Sequence, residues 1–210
     1  CLWSQPLLPD AGYLWPALGS LLVSTMAAVC FIQALKIGQI ALLMPVLALS
    51  PVVSALMSSW WLNDHLQVRE VAAMAAIVVL LFLLQGGAHL RWHAGLGYML
   101  LVALGWGMGT VFDKWALEYI EPLAHAWVQS TGMLLLLTLL LWWRGELVQA
   151  APYRVPLQPL LLAVLIFVLA VSLQLYALQS LHAGVIETIK RGIGMLGALL
   201  WGVWFFNERI

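Results

Sequence analysis

Glu187, Lys190 and Arg191 fall within five positions of the stretch "GVIETIKRGIGMLGALLWGVWFF" (184–206), in a chain of which only 9% is charged. A carboxylate beside two cations can do two kinds of work. The cations can hold a substrate's carboxylate or phosphate, and a buried acid near a cation changes its proton affinity as its surroundings turn from dry to wet. Read as a helix, Glu187, Arg191, Gly194, Ala198 and Gly202 form one stripe, since steps of three and four return to the same face. Glu187 precedes Arg191 by four residues, the favourable polarity for an ion pair along a helix. The small residues beyond the pair allow another helix to come close, and Lys190 lies on the adjoining face.

Depth separates the readings. From Gly192 to Phe206 there are fifteen residues, about 22 Å of helix, which falls short of a hydrocarbon core of about 30 Å. The helix must therefore begin earlier, near Ala183, placing Arg191 about 12 Å along its axis. Two readings stay open. Long stems can carry Lys190 and Arg191 back to the interface, or the cluster faces a bundle interior or a watery cavity. The stripe shared with small residues favours the second.

Other polar side chains inside apolar runs extend the candidate set. Gln33, Gln174 and Tyr176 could line a cavity or simply bond between helices. Trp106 sits in "GWGMG", where Gly105 and Gly109 form a packing motif and the indole could stack on a substrate. Asp113 and Lys114 read as interfacial, though Asp113 could answer the positive cluster. Pro45 and Pro51 read as kinks in one span, since proline removes a backbone hydrogen bond; a kink can serve as a hinge or merely bend the helix.

Metal and enzyme chemistry find little support. His89 and His93 have the i, i+4 spacing of a metal pair, but they flank Arg91 and Trp92 in a short loop, where interfacial anchoring is the better reading. Asp10, Asp64 and Asp113 lie far apart, and no Walker sequence, Gly-x-Ser-x-Gly or His-Glu-x-x-His occurs. The expectation is no metal, no cofactor, no enzyme, and no ATP-driven transport by this chain alone.

The elements that position these residues follow from composition. The chain is 64% hydrophobic, against about half apolar and about a quarter charged in a soluble domain. That is the composition of a polytopic membrane protein. Nine basic and nine acidic residues balance, which argues against nucleic acid as a partner. Cys1 and Cys30 make no disulfide framework. Seven runs reach the length of a membrane helix: 14–35, 39–62, 68–86, 95–115, 123–143, 158–180 and 183–206. Trp60, Trp61, Trp92, Trp142, Trp143 and Trp204 mark their ends, as in an interfacial aromatic belt. Counting Lys and Arg puts the side opposite the amino terminus in the cytoplasm, by a narrow margin.

Two of these segments resemble each other. "QALKIGQIALLMPVLALSPVVSALMSSWWLNDHL" (33–66) and "YALQSLHAGVIETIKRGIGMLGALLWGVWFFNERI" (176–210) both begin Ala-Leu-polar, cross an apolar run, gain aromatics and end Asn-acid-base-aliphatic. Five crossings separate the two ends. Five is odd, so the copies are inverted in the membrane, a common architecture of secondary transporters. The expected fold is an all-α integral membrane protein with inverted five-helix repeats. Residues 1–87 hold the end of the first repeat (three spans) and 88–210 the second (four spans), seven helices of an expected ten, with two missing before residue 1 and one after residue 210.

The segment "ALKIGQIALLMPVLALSPVVSALMSSWWLNDHLQVREVAAMAAIVVLLFLL" resembles the end of the first half of EamA-type members of the drug/metabolite transporter superfamily. "IKRGIGMLGALLWGVWFFNERI" is similar to their second-half counterpart, where many members carry a Lys-Arg pair. Two features depart from the family. The turns read "NDH" and "NER" without the usual glycine, and the family's cytoplasmic termini oppose the basic-residue count, which leaves orientation open.

The resulting expectation is a secondary transporter in the lipid bilayer, in a bacterial cytoplasmic membrane. It moves a small polar or amphipathic metabolite by alternating access, with a proton or an exchanged solute as coupling partner. A second copy of the chain is among the partners this reading allows. A membrane-embedded enzyme and a non-transporting scaffold are the alternatives.

Overall fold

A computed structural model describes residues 11–37, 43–64, 66–84, 94–146 and 156–206. Among the described residues, seven α-helices follow the seven apolar runs. They are α1 (Leu14–Ile37), α2 (Ser50–Trp61), α3 (Val68–Leu84), α4 (Ala94–Ala116), α5 (Pro122–Trp143), α6 (Leu157–Leu178) and α7 (Ala183–Phe206). Short 3-10 turns, Ala11–Tyr13 and Met44–Leu49, lead into α1 and α2. Lipid offers the backbone no hydrogen-bond partner, so an apolar run must satisfy its own amides, and a helix does so within one segment. No strand occurs among the described residues.

Among the described residues, four helices are long and apolar enough to cross a membrane: α1, α4 from Gly95 onward, α5 and α6. On α6, Leu161, Leu165, Ile166 and Leu169 are each more than half exposed. An apolar surface that continuous belongs in lipid rather than water. The exposed indoles of Trp142 and Trp143 close α5, where amphipathic rings suit the headgroup level. The chain is an all-α, multi-pass integral membrane protein.

The second span differs from a single kinked helix. Pro45 stands in the first turn of the 3-10 segment and Pro51 in the first turn of α2. A proline's missing amide costs nothing in a first turn, and its fixed φ suits one. The two prolines therefore begin elements rather than bend one, and α2 itself is only 12 residues long.

α4 is the central member, and its glycines explain why. α1 runs antiparallel to it, with Ala17 and Ala116 in register at one end of the pair, Ala27 and Gly105 in the middle, and Cys30 and Ala34 beside Met99 and Val102 further along. A Cβ added to Gly105 would lie 2.8 Å from the Ala27 Cβ, and one on Gly109 would lie 2.8 Å from the Ser24 Oγ. The Gly-x-x-x-Gly pair thus admits α1. Gly107 does the same for α2, since its added Cβ would lie 2.8 Å from the Ser50 carbonyl oxygen.

α2 and α7 also pack antiparallel. Ser50 at the start of α2 meets Glu187 and Arg191, Ala55 sits against Gly184, and Leu62 beyond the end of α2 packs near Ala183. After α2 the chain turns through Asn63 at φ 53°. This is the left-handed region, where asparagine is the usual substitute for glycine. The absence of glycine from "NDH" is thereby accommodated. The corresponding turn at 207–210, the loop with His89, Arg91, Trp92 and His93, and Cys1 and Asp10 lie outside the described residues.

Candidate functional site

Glu187 lies in the second turn of α7 and is fully buried. Four groups converge on its carboxylate. Thr110 Oγ1 of α4 donates to Oε1 at 2.9 Å, and Ser50 Oγ of α2 donates to Oε2 at 3.1 Å. Lys190 Nζ stands 2.5 Å from Oε1 and an Arg191 terminal nitrogen 3.4 Å from Oε2. Each oxygen has one hydroxyl and one cation, which answers the demand of a buried carboxylate for both charge and hydrogen bonds. Arg191 Nε also donates to Ser50 Oγ at 3.0 Å, so Ser50 accepts from the guanidinium while donating to the acid.

Trp106 completes the group. Its ring lies 4.9 Å below the Arg191 guanidinium carbon and 5.3 Å from the ring of Phe31 on α1. A guanidinium over an indole face is held by the ring quadrupole, so Arg191 is clamped between an aromatic plane and a carboxylate. Arg191 is 15% exposed and Lys190 40%. The cluster carries a net charge of plus one with its acid sealed inside and Lys190 nearest the open side.

The helices set the depth. Thr110 lies six residues before the end of α4, or about 9 Å of helix, and Arg191 lies eight residues into α7, or about 12 Å. The charges therefore meet inside the bundle.

Of the residues singled out in the sequence, Glu187, Lys190, Arg191 and Trp106 come together here. Gly194 is exposed with open space around it among the described residues. A close helix contact falls ten residues before Gly194, nearly three turns, at Gly184, whose added Cβ would lie 2.7 Å from the Ala55 Cβ. The surroundings of Pro45, Ala198 and Gly202 lie outside the described side chains. Gln33 is half-buried near the end of α1 and bonds to neither cluster among the described residues. Tyr176 is half exposed on another face of α6.

Gln174 belongs to a second site. It lines a recess of about 310 Å³ between α1, α4, α5 and α6 together with Ser20, Asp113, His125 and Gln129. Here Asp113 faces away from the Glu187 cluster. His125, fully buried, has Nε2 at 3.1 Å from Asp113 Oδ1 and Nδ1 at 3.0 Å from the Tyr13 hydroxyl. Ser20 Oγ donates to the same Asp113 oxygen. Tyr13, in the turn before α1, has its phenol pushed up to about 12 by burial and then by the Asp113 charge. The imidazole bridges the phenol and the carboxylate. Lys114 turns instead to Asp64, at 2.6 Å.

His125 and Tyr13 were not legible as site residues. The usable signal was the short turn between α4 and α5: Asp113 lies three residues before α4 ends and His125 three after α5 begins, positions that neighbouring antiparallel helices bring level. Ser50 and Thr110 carried no signal, since hydroxyls in apolar helices are common.

An α-helical bundle with a buried ion cluster and an apolar, lipid-facing exterior fits many membrane proteins. The sequence pattern of the EamA-like transporter family, however, matches residues 93–210, more than half of the chain. The chain belongs to the EamA-like transporter family. It is thereby an EamA-type member of the drug/metabolite transporter superfamily. No curated protein matches it. The EamA-like region supplies every charge of both clusters: Asp113, His125, Glu187, Lys190 and Arg191. The preceding segment supplies the neutral partners Tyr13, Ser20, Phe31 and Ser50.

Proposed function

We propose that this EamA-like protein is a secondary transporter that carries a small polar or amphipathic metabolite by alternating access between two inverted repeats, in a bacterial cytoplasmic membrane. The Glu187–Lys190–Arg191 cluster is its substrate or coupling site. The observation that carries this reading is the placement of Glu187, fully buried and bonded to residues from α2, α4 and α7 at once. Ionisable groups are costly inside a membrane and mark substrate or ion pathways there. Antiparallel packing of α2 against α7, the two segments that resemble each other, supports the inverted repeat.

The net positive charge suits an anion. A substrate carboxylate or phosphate can take Lys190, the more exposed cation, while Arg191 stays anchored on Trp106 and Ser50. Engaging Lys190 from outside weakens its hold on Glu187, and the freed carboxylate then seeks a proton or another cation. Substrate binding and proton occupancy are coupled in this way through one residue.

The reading is tested by thermal denaturation of the purified chain in detergent against amino acids, nucleosides, sugar phosphates and cationic drugs. A ligand that binds only the folded state raises the melting temperature. Carboxylate or phosphate compounds are expected to raise it in the wild type and not in Arg191→Met. The reading is overturned if no such compound does so, or if the rise persists in the variant.

A further inference from the structure

The recess beside His125 has a chemistry opposite to that of the Glu187 cluster. Its polar lining is built around one carboxylate. Asp113 receives both of its protein donors, His125 Nε2 and Ser20 Oγ, on Oδ1, so Oδ2 receives none from the described residues. Gln129 donates one amide N–H to the Ala17 carbonyl oxygen at 3.0 Å, and its own carbonyl oxygen is open to accept. Gln174 adds a second amide across the recess, from α6, and Ser24 and Ser130 add hydroxyls. The rest of the wall is apolar, including Met133, Leu134, Phe167 and Val171.

Asp113 is the one carboxylate among the described residues that line the recess. The ionisable groups facing His125 are Asp113 from α4 and Tyr13 from the turn before α1. The α6 lining contributes none. Lys114, next to Asp113 in the chain, is engaged by Asp64, and Glu121, which caps the start of α5, is exposed. Among the described residues no Lys or Arg pairs with Asp113.

We infer that this recess binds a protonated organic amine, with the ammonium on Asp113 and the Gln129 carbonyl oxygen and an apolar substituent against Phe167 and Val171. A carboxylate in a largely apolar recess demands both a counter-charge and hydrogen-bond donors, and an ammonium supplies both. This site stands independently of the Glu187 reading, because its readout is equilibrium binding rather than transport or anion recognition.

The test is calorimetric titration of the full chain in lipid nanodiscs with phenethylamine, and with phenylpropionate as a probe of similar shape and opposite charge. Phenethylamine is expected to bind, and phenylpropionate is expected not to displace it. Asp113→Asn is expected to abolish amine binding. The wild-type comparisons need no variant to fold. Displacement of phenethylamine by phenylpropionate, or no amine binding at all, would overturn the inference.

Discussion

Ser50 and Glu187 lie 137 positions apart in the chain and share a hydrogen bond of 3.1 Å inside the bundle. The same hydroxyl oxygen accepts from Arg191 Nε at 3.0 Å. One serine on α2 thus ties together the acid and the base of α7. A conformational change that parts α2 from α7 must break both bonds at once. The ion pairs of Glu187 with Lys190 and Arg191 lie within α7 and do not depend on α2; in the proposed transport cycle, parting the helices strips the cluster of its Ser50 bonds alone.

Removing the acid leaves two cations to face a buried hole. Glu187→Gln is expected to destabilise the protein by about 3 kcal/mol, the usual cost of leaving a buried charge unpaired. Lys190→Met should cost about 1 kcal/mol or less, because Lys190 is 40% exposed and water screens what it loses. Denaturant titration of both variants in detergent checks the order. A Lys190→Met cost equal to that of Glu187→Gln would contradict it.

The glycines of α4 predict a contrast within one helix. Gly105→Val pushes two methyl groups into the Ala27 side of α1, where an added Cβ already comes within 2.8 Å. Overpacking of this kind costs about 1–3 kcal/mol. Gly97 has open space where a Cβ would go, so Gly97→Ala should stabilise, by up to about 1 kcal/mol from helix propensity. Melting temperatures of the two variants should move in opposite directions.

Asn63 holds a left-handed backbone at φ 53°. Asn63→Gly is expected to be neutral or slightly stabilising, whereas Asn63→Val should cost about 1–2 kcal/mol. Equal stability of the two variants would show that the turn does not depend on that conformation.

The spans were readable because a membrane helix must be a long apolar run, and 14–35, 95–115, 123–143 and 183–206 each reappear within two residues at either end as α1, α4, α5 and α7. The second span was harder. Pro45 and Pro51 read as kinks within one span, whereas the backbone places each in the first turn of an element. In the Glu187 cluster, the partners on the same helix were legible because helical spacing links 187, 190 and 191. Ser50 and Thr110 were not, since their bonds to Glu187 span 137 and 77 positions and depend on how α2 and α4 meet α7. Asp113 read as interfacial, with an answer to the positive cluster as the second possibility. It lies three residues, about 4.5 Å along the axis, beyond Thr110, yet it turns toward α1 and α5.

The central claim is that the cluster around Glu187 is where solute is handled. The most direct measurement is uptake of an anionic metabolite by liposomes containing equal amounts of wild-type protein or Arg191→Met, with matched melting temperatures. The account predicts that uptake by Arg191→Met falls by about tenfold or more, the loss expected when a charged hydrogen-bonding partner is removed. Uptake by Arg191→Met equal to that of the wild type would contradict it.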